Sequence, residues 1–429
     1  MKDNIAEIKK GIKLHSIKTD KFKTNLVSVF LTTELNRKTV TENALIAAVL
    51  RRGTNNVKTQ EEISKKLEEM YGAEFDCGVE KTGDNQVIKF YLEALNDKYL
   101  PQNEELLKNS INMLLEIVFN PLVENNRFNE NYLQTEKENI KQLIEGKIDN
   151  KDLYSFERTT EEMYKGKPYS LYKYGYVEDL DKITSESLYN KYKELVSNAK
   201  IDIFVSGEFD ENILKEIVQN NENITKLQER EPKYIENKEE TETKENVSEV
   251  KTLEDKMNVT QGKLVIGMQI NEMKQNERFI ASLYNTILGD SANSKLFQNV
   301  REKAHLAYSA RSNYVRPKND IFIRCGIEIE NYVKALEIIK EQLDDMKNGK
   351  FTDEDINNAK KYIISAVVGI EDEQDIEITY FLGQELAGTT CTLEEYKQNI
   401  QNVTKEQIQD IAQRVQINTI YFLRNWFFF

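Results

Sequence analysis

Short apolar runs between polar stretches predict β-strands over residues 25–31, 86–92 and 201–205. The stretches between them are helical in pattern. From Ile63 onwards, apolar residues fall at i, i+4, i+7 and i+8, which places them on one face of a helix. The pattern therefore predicts a chain that mixes short strands with amphipathic helices.

The pattern also repeats itself along the chain. Phe128 and Phe351 each precede a helical stretch, and they are 223 residues apart. Thr184 and Thr404 each open a helix that leads into a strand; these helices are 220 residues apart, and the strands after them are 218 apart. A chance likeness of helix–strand segments is the alternative, but three anchors in the same order favour a domain duplication over a short-period solenoid.

A highly charged segment separates the two copies. Residues 229–256 hold ten acids and six bases, with one proline and no glycine. Such a segment buries little apolar surface, and it is typical of a solvated linker. We therefore expect an N-terminal α+β half at 1–228, an acidic linker at 229–256 and a C-terminal α+β half at 257–429.

The composition narrows the possible partners and compartment. The chain has 429 residues, with 59 Lys and Arg against 73 Asp and Glu, for a net charge of −14. Nucleic acid is not expected as a partner, because counterion release needs clustered cations. No apolar run approaches the ~18 residues of a membrane-spanning helix. Cys77, Cys325 and Cys391 show no pair spacing, which suits a reducing compartment, so we expect a cytoplasmic protein without membrane insertion.

Histidine is the scarcest of the residues that usually carry catalysis. His15 and His305 are 290 residues apart, and neither has a cysteine or another histidine within helix reach, so a zinc site is not expected. His15 precedes a strand and is expected at the surface. Nucleophile elbows and phosphate-binding glycine loops are missing from the sequence. Taken alone, the chain carries no complete catalytic constellation.

Two blocks of residues resemble a known family. In the C-terminal half, Gly289 ends a Leu-Gly pair, Ser294 begins Ser-x-Leu-Phe, and Arg301 begins Arg-Glu-Lys-x-x-Leu-Ala-Tyr-Ser. The N-terminal half contributes Gly53-Thr54 and a Gly-x-x-Glu-Asp-Leu stretch from Gly175. Together they resemble pitrilysin/insulinase-family peptidases of the mitochondrial processing peptidase-like, bacterial two-chain type. The resemblance implies an α+β fold of the processing-peptidase/LuxS-like metallohydrolase type. Two tandem similar halves, each a mostly antiparallel sheet with helices on one side, would form a clamshell.

The family's zinc motif is lost here. Members carry H-x-x-E-H just before the Gly-Thr pair, and these positions fall on Ala44, Ala47 and Ala48. The downstream glutamate ligand falls near Leu143, although Glu138 in the same helix leaves the register open. The alanines are expected to fill the space of the lost ligands. The resemblance therefore implies a zinc-less chain with no cofactor of its own, and zinc in a partner subunit.

The resemblance also implies functional residues in the C-terminal block. Arg301 and Tyr308 match family residues that complete a partner's catalytic site by stabilising the developing oxyanion and holding the peptide. Gly289, Ser294 and His305 are weaker substrate-binding candidates. The alternative is that Arg301 is a surface helix residue and Tyr308 a ring at the edge of the core.

These expectations lead to two functions from different classes. The first is the non-metal subunit of a heterodimeric zinc endopeptidase, inactive alone, which cleaves peptides or small unfolded polypeptides together with a homologous zinc-bearing subunit. The second is a catalytically inactive peptidase-fold protein that serves as an assembly or peptide-binding subunit.

Overall fold

The structure, a computed structural model, describes residues 3–102, 104–238 and 247–426. Residues 239–246 of the predicted linker lie outside the described residues. The described chain forms both sheets and helices, which confirms the predicted α+β class. The strands are β1 (Asp3–Lys9), β2 (Ile12–Lys18), β3 (Thr24–Glu34), β4 (Glu74–Thr82), β5 (Asn85–Leu95), β6 (Val123–Glu124), β7 (Arg127–Phe128), β8 (Lys200–Gly207), β9 (Lys251–Lys256), β10 (Gly262–Ile270), β11 (Ala307–Val315), β12 (Asp320–Ile327) and β13 (Val415–Arg424).

Helices connect these strands. The α-helices are α1 (Val40–Leu50), α2 (Gln60–Glu69), α3 (Leu106–Phe119), α4 (Glu130–Gly146), α5 (Lys151–Met163), α6 (Val177–Leu180), α7 (Ser185–Asn198), α8 (Glu211–Gln219), α9 (Glu222–Lys226), α10 (Arg278–Asn285), α11 (Tyr332–Lys347), α12 (Asp353–Ile370), α13 (Gln374–Leu386), α14 (Leu393–Asn402) and α15 (Lys405–Arg414). Two π-helical segments lie at Thr286–Asp290 and Phe297–Lys303. Within the described ranges, no helix is both long enough and apolar enough to cross a membrane.

Two compact units make up the chain, and each contains one helix from the opposite half of the sequence. Unit 1 comprises Met1–Gly146, Leu171–Glu236 and Glu371–Leu386. Unit 2 comprises Lys147–Ser170, Asn237–Ile370 and Ala387–Phe429. Helix α5, from the N-terminal half of the sequence, therefore belongs to unit 2, and α13, from the C-terminal half, belongs to unit 1. The predicted division at 228 and 257 follows the order of the repeats along the chain and does not anticipate this exchange.

Unit 1 is built on a six-stranded sheet that is apolar on both faces. Its strand order is β1-β2-β8-β3-β5-β4; β2 and β8 pair in parallel, and the other neighbouring pairs are antiparallel. Val27, Val29 and Leu31 of β3 point into the core that contains α1, α3, α4 and α7. Leu26 and Phe30 point to the opposite face, where α13 covers them. Helices thus lie on both sides of this sheet, because a strand with two apolar faces needs cover on each.

Unit 2 repeats the strand arrangement of unit 1. Its order is β11-β12-β10-β13-β9, with β13 and β9 parallel and the other pairs antiparallel, which matches β4-β5-β3-β8-β2. Helix α5 packs on one face of the sheet, where Phe156 meets Phe322 at a ring-centroid distance of 4.8 Å. Strand β9 falls within the predicted linker and takes the place of β2, so the extended linker ends before residue 251. The shared topology supports the duplication inferred from the sequence.

The helices that repeat along the chain begin at equivalent positions, and one pair begins with the same N-capping motif. Helices α4 and α12 begin 223 residues apart, and α7 and α15 begin 220 apart. Thr184 accepts a hydrogen bond from the Ser187 backbone N–H, and Thr404 accepts one from the Gln407 N–H; both are reciprocal capping boxes. The predicted strands at 25–31, 86–92 and 201–205 lie within β3, β5 and β8.

Candidate functional site

The residues at the positions of the zinc motif lie on one face of helix α1. Ala44, Ala47, Ala48 and Arg51 stand at i, i+3, i+4 and i+7, so their side chains share one face of the helix and its C-terminal end. Most of the other side chains of α1 are buried in the core of unit 1. That burial holds the alanine face in place.

The alanine face borders an open pocket of about 430 Å³. Leu143 of α4 lines this pocket, although it is 49% exposed, and Glu138 of the same helix does not line it. The geometry therefore favours Leu143 as the position of the lost glutamate ligand. The expectation that alanines fill the space of the lost ligands is wrong, because their methyl groups leave a cavity. The lining residues are Ala44, Ala47, Ala48, Arg51, Cys77, Gly78, Val79, Glu136, Asn139, Ile140, Gln142, Leu143 and Tyr174.

The polar groups of this pocket do not fit a zinc ion. The buried carboxylate of Glu136 pairs with Arg52 and accepts a hydrogen bond of 3.0 Å from Asn139 Nδ2, so its charge is already neutralised. Burial raises the pKa of Cys77 to about 11, although the charge of Arg51 acts in the opposite direction, and the thiol is protonated at neutral pH. Across the part of the chain that the structure describes, no group of three or more His, Cys, Asp or Glu could hold a metal ion.

Arg301 and Tyr308 both reach the surface of unit 2. Arg301 lies in the π-helical segment Phe297–Lys303, with its guanidinium 4.6 Å from the Phe297 ring centroid and its Nε 3.5 Å from Glu302 Oε1. Tyr308 is 61% exposed at an irregularity in the β11–β12 register, where the chain shifts between Ala307 and Ser309. Such bulges re-aim side chains. The Tyr308 hydroxyl donates a hydrogen bond to Glu328, and this bond raises the pKa of the phenol.

The weaker substrate-binding candidates occupy different environments. Gly289 is buried, and a Cβ there would lie 2.6 Å from Ser312 N, so close packing accounts for the glycine. Ser294 is also buried, and its Oγ accepts a hydrogen bond of 3.4 Å from Phe297 N. His305 is exposed, with a positive φ of 54°. Of these three candidates, His305 alone presents its side chain to solvent.

His15 is fully buried, so its predicted surface position is wrong. Its ring stacks on Phe204 with a centroid distance of 4.0 Å. Nδ1 lies 2.7 Å from Asp3 Oδ2, and Nε2 lies 3.1 Å from Asp202 Oδ1. Burial opposes the charged ring, but the hydrogen bonds and charges of Asp202 and Asp3 prevail and raise the pKa of His15 to about 9. No local pattern indicates this environment, because Asp202 is 187 residues away.

The buried charges continue from Asp202 towards α13. Lys200 pairs with Asp202, and its Nζ lies 2.9 Å from Glu385 Oε1. Lys13 Nζ lies 2.6 Å from the same oxygen. Charges alternate in sign along this row, and Glu385 belongs to α13. The row therefore links α13 electrostatically to the face of the unit 1 sheet that it covers, which is a structural role.

Comparisons with known proteins agree with the resemblance. A family model described as the Peptidase M16 inactive domain matches residues 182–363. A protein of Bacillus subtilis (strain 168), named probable inactive metalloprotease YmfF, is 35% identical over 415 residues, which is 96% of each chain.

Solved structures are similar over the whole chain. The crystal structure of a conserved protein from Enterococcus faecalis V583 is 28% identical, covers 99% of both chains and has a TM-score of 0.88. A peptidase M16 inactive domain from Pseudomonas fluorescens is 17% identical, covers 99% of this chain and 98% of its own, and has a TM-score of 0.78. The second likeness concerns the fold alone.

Proposed function

The chain belongs to the M16 (pitrilysin/insulinase) peptidase family as an inactive member, and from this we propose that it is the non-metal subunit of a heterodimeric zinc endopeptidase. Its partner would be a homologous subunit with an intact zinc motif. Their substrates would be peptides or small unfolded polypeptides. We place the complex in the cytoplasm, and the free state of Cys77, Cys325 and Cys391 supports that compartment.

One contrast between the two units carries the proposal. The positions of the zinc motif, Ala44, Ala47 and Ala48, line a pocket in unit 1 whose polar groups do not fit a zinc ion. Unit 2 nevertheless presents Arg301 and Tyr308 at its surface, as a subunit that completes another chain's site requires.

The chemistry of these two side chains suits the developing charge of peptide hydrolysis. Attack of a zinc-activated water on a peptide carbonyl places negative charge on the carbonyl oxygen. A guanidinium and a phenol are donors that stabilise such an oxyanion, and they do most when they are positioned before the reaction. The hydroxyl of Tyr308 now donates to Glu328, so substrate would have to replace that acceptor.

Reconstitution with the zinc-bearing subunit tests the proposal. The chain alone is expected to show no peptidase activity, and the mixture is expected to turn over a peptide substrate. In the mixture, Arg301→Ala or Tyr308→Phe should lower kcat by roughly 10²- to 10³-fold, as the loss of one oxyanion donor does. KM should change less, because the interaction is made mainly in the transition state.

Two matched variants serve as controls. Tyr362→Phe removes a hydroxyl from a half-exposed tyrosine on α12, and Lys303→Ala removes a charge two residues after Arg301, within the same block. Both complexes should cleave at the wild-type rate. If the Arg301 and Tyr308 variants assemble and also cleave at that rate, the proposed catalytic roles are refuted.

A second candidate function has an observation of its own. Arg301 already stacks on Phe297, and Tyr308 already bonds Glu328, so both side chains have partners without any substrate. This favours a catalytically inactive assembly or peptide-binding subunit. Binding of the zinc subunit or of peptide without any gain in turnover would identify that role.

A further inference from the structure

Arg51 is the one cation among the residues that line the α1 pocket, and its charge is not matched there. Its guanidinium makes no ion pair or side-chain hydrogen bond with the residues that the structure describes. Its neighbour Arg52 differs, since Arg52 pairs with the buried Glu136 and donates to Gln60 Oε1 at 2.7 Å. The one carboxylate among the described lining residues is therefore already paired with Arg52, and the donors of Arg51 are left for a ligand.

The walls around Arg51 suit a small anionic group on an organic chain. Ala44, Ala47, Ile140 and Leu143 provide apolar contact, and the volume of about 430 Å³ accommodates a side chain rather than a folded segment. The lining also includes the polar side chains of Glu136, Asn139, Gln142 and Tyr174, and Arg51 is its one cation among the described residues. A guanidinium favours a carboxylate, which its planar fork of donors binds in a bidentate manner. A phosphate carries a larger charge than a carboxylate, and this pocket offers it a single cation among the described residues.

We propose that this pocket binds a carboxylate group of a peptide, with Arg51 as its anchor, in the space that the zinc ligands would occupy in an active relative. The carboxylate is either an acidic side chain or the C-terminal group. The inference rests on the proposed function only in taking peptide as the ligand. In unit 1, the guanidinium of Arg51 would then provide the positive charge for binding, and no metal would take part.

Alanine-methyl NMR provides a direct test. The protein is labelled with ¹³C at alanine methyl groups, and Ala44, Ala47 and Ala48 report on the pocket; Ala48→Leu assigns one of them. One pair of titrants is acetyl-Gly-Gly-Glu-Gly-Gly-amide and its glutamine counterpart. A second pair is acetyl-Gly-Gly-Gly-Gly with a free or an amidated C-terminus. The first pair tests an acidic side chain, and the second tests a terminal carboxylate.

At least one carboxylate peptide should shift the reporter methyls and bind roughly 10- to 100-fold more tightly than its amide counterpart, the range for one charge-assisted contact. Arg51→Gln should abolish that preference, and Ala48→Leu should block binding by filling the cavity while leaving Arg51 in place. Lys38→Gln, an equal change of charge at the exposed loop before α1, should leave binding intact.

Three results would overturn the inference: equal shifts from the carboxylate and amide peptides, an unchanged affinity in Arg51→Gln, or no shift with any peptide. The titration needs no zinc subunit. Failed reconstitution with intact carboxylate binding would therefore count against the proposed function alone, and the reverse outcome would count against the pocket alone.

Discussion

His15 carries a positive charge between two buried carboxylates, and replacing it by glutamine is expected to weaken the pH dependence of stability. The pKa of His15 is raised from 6.5 to about 9 in the folded protein. A difference of this size corresponds to about 3 kcal/mol of stabilisation. Because the folded pKa lies above the unfolded one, this contribution is complete below pH 6.5 and is lost as the pH rises through 9.

The small number of histidines makes the pKa of His15 directly measurable. The chain has two histidines, so a ¹³C-histidine-labelled sample shows two imidazole signals, and His305→Gln assigns them. The His15 signal should titrate with a midpoint near 9. Hydrogen exchange of β2 and β8 should then show that wild type loses about 3 kcal/mol more than His15→Gln between the acid and alkaline sides of this range.

The loss of the ring's contact with Phe204 lowers the stability of His15→Gln at every pH, so the comparison uses the difference between the two pH profiles. His305→Gln should keep the wild-type profile, because His305 is exposed. A His15 midpoint at or below 6.5 would refute the reasoning, since burial would then outweigh both aspartates. Parallel profiles of wild type and His15→Gln would refute it as well.

Two further changes test the buried carboxylate of α13 and the lost metal site. Glu377 is fully buried, neither of its carboxylate oxygens has a hydrogen-bond partner among the described residues, and burial raises its pKa to about 7. Ionisation therefore costs stability as the pH rises from 4.5 through 7, and Glu377→Gln should stabilise the protein by about 3 kcal/mol above pH 7 and little at acid pH. Thermal unfolding at both pH values checks this, and an equal effect at both would contradict it. Wild type should retain no stoichiometric zinc in elemental analysis after dialysis. The combined variant Ala44→His, Ala47→Glu, Ala48→His and Leu143→Glu should retain about one zinc per chain, because it restores three protein ligands. Failure of the folded variant to retain zinc would argue against Leu143 as the ligand position.

Periodicity predicted the regular elements well because they follow local rules. The runs at 25–31, 86–92 and 201–205 lie in β3, β5 and β8, and the repeated threonines cap α7 and α15. The exchange of α5 and α13 had no such signal. An amphipathic helix has an apolar face in any location, and its sequence does not say which sheet it covers.

For the candidate site, the sequence indicated which residues stand at the motif positions, but it did not indicate what surrounds them in the fold. The spacing to Gly53-Thr54 placed the lost ligands on Ala44, Ala47 and Ala48, and these residues do share one pocket wall. The open volume of that pocket and the unpaired state of Arg51 depend on α4 and β4, which the spacing does not position. The prediction of surface exposure for His15 failed for the same reason, since its partners Asp3 and Asp202 meet only when β1, β2 and β8 assemble.

The sequence by itself indicated the membership in a peptidase family, the duplication, the absence of zinc ligands at the motif positions, the strands at 25–31, 86–92 and 201–205, and the repeated helix starts. These properties depend on residue identity and on spacing along the chain. Only the tertiary structure decided that the alanines leave a cavity, that Leu143 rather than Glu138 lines it, and that Arg51 lines it without a partner among the described residues. Cavities, buried charges and free donors result from contacts between elements that are distant in sequence, so no local pattern encodes them.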